Sequence, residues 1–126
     1  DLARRFVLQG ANLFITITND GWFLETAGSA QHAANSIFRC VENRLPMVRV
    51  ANTGVTCFID RNGRVYDVLA DENGRTFLEG VLTGEVVVGM GFHPTIYTRI
   101  GELFSVLCLG ATALTVGLGA ARRKLA

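Results

Sequence analysis

The pattern of apolar and polar residues divides the chain into two parts. Up to about residue 92, short apolar runs alternate with polar turns, whereas residues 103–120 contain no charged side chain. The first part predicts alternating helices and strands, and therefore a layered α/β sheet rather than a helix bundle. The second part predicts a single long apolar helix.

The first elements can be placed from local signals. Residues 1–9 predict the end of a helix, with Leu2 and Phe6 on one face and Gly10 as its stop. Residues 13–18 are apolar and rich in β-branched side chains. This composition predicts a strand that is covered on both faces.

A second helix and four more strands follow in the pattern. Ser29 is a favourable N-cap for the helix, and Pro46 closes the segment. Apolar side chains recur at the helical period at Ala30, Ala33, Ala34, Ile37, Phe38 and Val41. The predicted strands cover residues 47–51, 55–59, 65–69 and 81–88, and turn signals at residues 60–63 and 71–74 separate three of them.

The apolar segment near the end of the chain favours a membrane helix over residues 102–121. Eighteen helical residues span roughly 27 Å, close to the thickness of a bilayer's hydrocarbon core. The basic cluster that follows predicts a cytoplasmic tail at residues 122–126, and therefore places the first part of the chain on the opposite side. The alternative is a buried core helix, but its polar residues are few: Ser105, Thr112 and Thr115.

A connector at residues 93–101 joins the two parts, so that residues 1–92 form the folded domain. Tyr97 and Arg99 in this connector suit a membrane interface, because each combines an apolar body with a polar tip.

Composition removes several functional classes. The net charge is +1 and basic residues form no stripe, which argues against nucleic-acid binding. The three cysteines, Cys40, Cys57 and Cys108, are odd in number and lack CxxC spacing. This argues against a zinc site and a disulfide framework and predicts buried thiols. None of the three follows a strand as a nucleophile elbow would, and we predict no metal and no cofactor.

The most unusual local sequence comes directly after the first predicted strand, as Asn19, Asp20, Gly21, Trp22 and Phe23. Ligand sites in α/β sheets gather beyond the carboxyl ends of strands, so this polar pair and its aromatic neighbours are candidates for lining a pocket. A simple turn with the Trp side chain folded back on the core is an equally open interpretation.

The second predicted helix carries a second group of candidates. Arg39, Glu42 and Asn43 are neighbours on its polar face and could orient a catalytic group, although a structural ion pair is the simpler interpretation. His32 has no second His or Cys at ligand spacing, which argues against a metal site.

At this point the residues resemble a known family. Residues 15–23, Ile-Thr-Ile-Thr-Asn-Asp-Gly-Trp-Phe, look like the segment after the nucleophile strand in apolipoprotein N-acyltransferases of the nitrilase (carbon–nitrogen hydrolase) superfamily. The similarity continues in order through residues 31–32, 39–46, 49–56, 59–60, 63, 82–86 and 95–102. Arg-x-x-Glu-Asn and Asn-x-Gly are shared by nitrilases generally, so the first segment is the more specific signal.

The resemblance implies a fold and an activity. The fold would be the C-terminal part of a nitrilase-like αββα sandwich, followed by one transmembrane helix. The activity would be transfer of an acyl chain from a phospholipid, through a cysteine thioester, to the N-terminal diacylglyceryl-cysteine of an apolipoprotein. The location would be the bacterial inner membrane, with the folded domain on the periplasmic side.

The resemblance also assigns roles to individual residues. The family's Glu-Lys-Cys triad would lie before this chain, so we expect the chain to be inactive alone; Cys57 only echoes the nucleophile segment. Asn19, Trp22 and Phe23 would line the active-site cavity, and Arg39 and Glu42 would brace it. Two other functions stay open, which are an amidase acting on a small soluble amide and a non-catalytic, membrane-tethered interaction module.

Overall fold

The computed structural model describes residues 2–89 and 94–125. The first residue of the predicted connector, 93, and the last of the predicted tail, 126, lie outside these ranges. In chain order the elements are α1 (Leu2–Leu8), β1 (Phe14–Thr18), a 3₁₀ turn (Gly21–Phe23), α2 (Ala27–Asn43), β2 (Met47–Ala51), β3 (Cys57–Ile59), β4 (Val65–Tyr66), α3 (Ile96–Ile100) and α4 (Leu103–Leu125). The predicted mixed α/β class is confirmed.

The strands form one sheet in the order β1-β2-β3-β4. β1 and β2 are parallel, with Phe14 opposite Met47 and Thr18 opposite Ala51, whereas the other two pairs are antiparallel. A parallel pair needs a crossover connection, which α2 provides. The carboxyl ends of β1 and β2 therefore lie side by side, and the loops that follow them meet.

Helix α2 begins earlier than its sequence predicts. Its N-cap is Thr26, whose hydroxyl oxygen accepts a hydrogen bond from the Gly28 amide at 3.2 Å. The predicted cap, Ser29, is wrong because this residue is buried in the first turn and its hydroxyl donates to the Thr26 carbonyl instead. The helix ends at Asn43, and the C-cap residue that follows, Arg44, has a left-handed conformation with φ 56°.

Several strand predictions are wrong in detail. Residues 81–88 are not a strand, and the strand predicted at 65–69 contains only Val65–Tyr66. β1 is not covered on both faces, because Ile15 and Ile17 are 66% and 83% exposed. Side chains alternate between the faces of a strand, and only the face that carries Phe14 packs on the core.

The core lies between this face of the sheet and the helices α1 and α2. Its buried members are Val7, Phe14, Cys40, Met47, Cys57 and Ile59. Burial raises the pKa of the Cys40 thiol to about 12 and also raises the pKa of the Cys57 thiol. The prediction of buried thiols is therefore confirmed for two cysteines and wrong for Cys108, which is exposed on α4.

Helix α4 is apolar and exposed. All residues from Leu103 to Gly119 are exposed, and Phe104 is 76% exposed. The alternative of a buried core helix is therefore wrong. The predicted membrane span is not confirmed, since among the described residues no helix reaches the length and apolar character required to cross a bilayer.

The core thiols provide a test of this packing. We expect iodoacetamide at pH 8 to leave Cys40 and Cys57 unmodified in the native protein and to modify both in urea, because neither is accessible and neither forms a thiolate readily. Peptide mass spectrometry measures the labelling. A Val81→Cys variant, at a position that is 87% exposed, controls for reagent activity. Modification of either core thiol without unfolding would contradict the packing.

Candidate functional site

The candidate site is the turn that leaves β1. The Asn19 side-chain oxygen accepts from the Gly21 amide at 3.1 Å and from the Asn52 side-chain amide at 3.2 Å. Asn52 directly follows β2, and its backbone amide donates to the Thr18 carbonyl at 2.9 Å. These bonds join the two strand ends that the parallel register places side by side.

Asp20 lies beneath this turn and is completely buried. One carboxylate oxygen accepts from Arg49 Nη2 at 2.7 Å. The other contacts His32 Nδ1 at 2.7 Å and accepts from the Thr18 hydroxyl at 3.2 Å. The carboxylate therefore connects β1, β2 and the second turn of α2.

Arg49 is the other half of this ion pair and is 1% exposed. It is the central residue of β2, and its Nη1 donates to the Ser36 hydroxyl on α2 at 3.2 Å. Two buried charges are stable only when each has its partner, because transfer from water costs several kcal/mol per ion. The pair therefore fixes the positions of the strand and the turn that carry it.

The loop after β2 closes over the ion pair. Gly54 has a φ of 99°, a conformation that favours glycine. A Cβ atom at this position would lie 3.1 Å from Asp20 Oδ2 and 3.1 Å from the Ser29 Cβ. A side chain here would therefore strain the backbone and press on the buried carboxylate.

The aromatic pair, Trp22 and Phe23, lies on the outside of the same turn. Trp22 is 87% exposed and Phe23 is 37% exposed. The interpretation in which the Trp side chain folds back on the core is wrong. The Phe23 ring contacts the His32 ring, with 5.6 Å between centroids and an interplanar angle of 53°.

Arg39 and Glu42 form the expected ion pair, at 3.0 Å, on the later part of α2. Arg39 is seven residues beyond His32, roughly 10 Å along the helix axis. Burial raises the pKa of Glu42, and the nearby Arg39 partly opposes this. The Glu42 backbone carbonyl accepts from the Thr95 hydroxyl before α3.

The structure therefore brings three of the candidates together and places the other two elsewhere. Asn19, Trp22 and Phe23 share one turn, whereas Arg39 borders a groove of about 610 Å³ between α1 and β1. Within residues 2–89 and 94–125, no group of three or more His, Cys, Asp or Glu side chains is arranged to hold a metal ion.

The sequence pattern alone does not identify two residues of the site, Arg49 and His32. Arg49 lies in an otherwise apolar strand, two residues after Met47 and therefore on the same, inward face. A charge on that face requires a buried carboxylate, and this requirement could have identified it. The sequence of His32 and its neighbours argues only against a metal site, and no local signal shows that Asp20 reaches this residue.

Comparison with known proteins shows which family the sequence resembles. The family profile described as carbon-nitrogen hydrolase matches residues 1–91. An apolipoprotein N-acyltransferase of Geobacter metallireducens is 39% identical over 127 residues, covering 99% of this chain and 23% of that protein.

Two further relatives give the same result. Apolipoprotein N-acyltransferase 1 of Treponema denticola is 37% identical over 85% of this chain and 19% of its own length. The apolipoprotein N-acyltransferase of Thermotoga maritima is 35% identical over 92% of this chain and 22% of its own length. The chain thus spans about a fifth of the length of these relatives. The resemblance seen in the sequence is confirmed, and the chain belongs to the carbon-nitrogen hydrolase family.

Proposed function

We propose that this chain is the C-terminal part of a phospholipid-dependent N-acyltransferase that acylates the N-terminal diacylglyceryl-cysteine of apolipoproteins. The names of the similar proteins support this proposal. The alignments cover 85–99% of this chain but about a fifth of the length of each relative.

The proposed chemistry divides one acyl transfer into two steps. A cysteine thiol outside this chain gives up its proton and attacks the ester carbonyl of a phospholipid to form a thioester. The lysophospholipid oxygen leaves with that proton as a hydroxyl. The free α-amine of the apolipoprotein then attacks the thioester, loses a proton, forms the amide and releases the thiol. Cys40 and Cys57 are unsuited to the nucleophile's role, because burial raises the pKa of both thiols.

The observation that carries the proposal is the exposed aromatic pair, Trp22 and Phe23, on a turn that a buried ion pair holds in place. Trp22 presents a large apolar surface beside the carboxyl ends of two parallel strands, and the buried Asp20 carboxylate fixes the turn beneath it. Acyl chains require apolar contacts, and binding sites in α/β sheets lie at such strand ends. We therefore propose that Asn19, Trp22 and Phe23 bind substrate.

Arg39 and Glu42 keep a supporting role in this proposal. Their ion pair lies where α2 meets the segment before α3, and the Glu42 carbonyl accepts from Thr95 there. Asn43 adds two contacts, because its amide donates to the Arg39 carbonyl and its side-chain oxygen accepts from Thr98. These contacts hold α2, the helix that also carries His32, and through it Arg39 and Glu42 would brace the active-site cavity.

We further propose that lipid covers the apolar surface of α4. The side chains that lack a protein cover include Phe104, Leu107, Leu109 and Leu114, each more than 60% exposed. Contact with lipid would remove this area from water. The orientation belongs to the same proposal, with the folded domain at the periplasmic face of the bacterial inner membrane and the C-terminus in the cytoplasm.

The competing activity within the family is hydrolysis of a small soluble amide. Neither an 87% exposed Trp22 nor an apolar exposed helix is required for such a substrate, and both suit a lipid. The choice of substrate in an assay therefore separates the two functions.

We expect Trp22→Ala, in the full-length protein that carries this chain, to lower acyl transfer to a diacylated lipopeptide at least about tenfold, equivalent to roughly 1.4 kcal/mol of transition-state stabilisation. Product mass measures the transfer. Val81→Ala, at an equally exposed apolar position, serves as the control and should retain activity. Unchanged transfer in Trp22→Ala would remove the aromatic pair from the site, and hydrolysis of small amides without acyl transfer would favour the amidase.

We expect Arg49→Met to lower the free energy of unfolding by about 3 kcal/mol, because it leaves the Asp20 charge buried without its partner. Urea denaturation measures the change. Arg75→Met is the matched control, since Arg75 forms an exposed ion pair with Asp71 and should hardly alter the midpoint. Adding Asp20→Asn to Arg49→Met should recover part of the loss. Equal midpoints for the two single variants would refute the role of the pair.

We expect a membrane-impermeant maleimide to label Val81→Cys in lipid vesicles but to leave Cys108 unlabelled until the vesicles are dissolved in denaturing detergent. Both positions are exposed to solvent on the protein itself, so lipid alone would distinguish them. Mass spectrometry of the labelled peptides gives the ratio. Equal labelling of the two thiols in vesicles would show that α4 lies in water.

A further inference from the structure

The Phe23 ring is held between two residues of α2. At Gly28 a Cβ atom would lie 2.7 Å from Phe23 Cδ1 and 3.0 Å from its Cγ, so the ring occupies the space that a side chain would need. The His32 ring contacts Phe23 with 5.6 Å between centroids. Gly28 and His32 are four residues apart, and therefore lie on the same face of the helix.

The orientation of the His32 side chain is set by the buried Asp20 carboxylate. The Asp20 carboxylate accepts hydrogen bonds and cannot donate them, so the His32 Nδ1 atom that contacts it at 2.7 Å carries a hydrogen. Arg49 Nη2, 3.5 Å from the same nitrogen, is also a donor, so it binds the carboxylate and not the imidazole. The plane of the His32 ring is thus set by the buried ion pair.

The backbone after Phe23 shows that the segment is held in place. Leu24 has a φ of 50°, which is rare for residues other than glycine. Such a conformation persists only where the surrounding contacts enforce it. One of these contacts is the Thr26 hydroxyl, which donates to the Phe23 carbonyl at 2.6 Å.

We propose that Gly28 and His32 are positioning residues for the substrate-binding surface formed by Trp22 and Phe23. Gly28 provides the space in which the Phe23 ring lies, and His32 transmits the fixed position of Asp20 to that ring. This proposal rests on the proposed function, because it assigns the aromatic pair to substrate binding. We call Gly28 and His32 together the seat of the Phe23 ring. If the proposal holds, a substitution in the seat changes KM more than kcat.

The first test is Gly28→Ala in the full-length protein. The added methyl group would displace the Phe23 ring, and we expect the KM for a diacylated lipopeptide to rise roughly fivefold while kcat changes less than about twofold. The melting temperature should fall only slightly, because the higher helix propensity of alanine offsets part of the cost of displacing the ring. Gly89→Ala is the control, since a Cβ there meets only the end of the Arg61 side chain, at 3.9 Å.

A double-variant cycle separates the seat from a general effect of the methyl group. In a Phe23→Ala background the two ring atoms nearest to Gly28, Cδ1 and Cγ, are absent, so Gly28→Ala should raise KM less than about twofold further. His32→Asn retains a donor toward Asp20 but removes the ring, and should raise KM as Gly28→Ala does. An equal effect of Gly28→Ala in both backgrounds, or an unchanged KM in the single variants, would overturn the proposal.

A spectroscopic measurement distinguishes failure of this proposal from failure of the proposed function. With 4-fluorophenylalanine at position 23, the ¹⁹F resonance should shift in Gly28→Ala and stay in place in Gly89→Ala. If the enzyme transfers no acyl group but the resonance shifts as expected, the proposed function fails and the structural seat stands. If the resonance does not move in Gly28→Ala, the seat does not exist, whatever the activity.

Discussion

The buried ion pair between Asp20 and Arg49 is the interaction on which the rest of the site depends. It connects the end of β1 to the middle of β2 at 2.7 Å, and through His32 it reaches α2. Because a buried charge without a partner is strongly unfavourable, the turn above the pair has little freedom to move. The exposed side chain of Trp22 therefore projects from a turn that the buried ion pair holds in place.

Much of the fold could be predicted from periodicity and turn chemistry. The two turns that begin at Asp60 and Asp71 have the same geometry, in which one carboxylate oxygen accepts from the amides two and four residues later. Local sequence determines such turns, so they were predictable. The irregular segment at residues 81–88 was not, because apolar β-branched residues indicate a strand only where a neighbouring strand offers hydrogen bonds.

The candidate site was predictable in position and less so in its internal structure. The location of Asn19, Trp22 and Phe23 after the first strand follows from the chain order alone. Which of the neighbouring polar residues is buried depends on contacts between segments 12 and 29 residues apart, which join Asp20 to His32 and to Arg49. No pattern along the chain records such contacts, although the charge within β2 required that one exist.

Strand β1 lies at the edge of the sheet and affects how separate copies of this chain associate. Among the described residues β1 pairs on one side only, with β2, and its outward face carries Ile15 and Ile17. A free strand edge beside an uncovered apolar face is a template on which another strand can add. Separately produced copies would tend to join edge to edge into insoluble polymers, and a second strand paired with this edge would prevent that association.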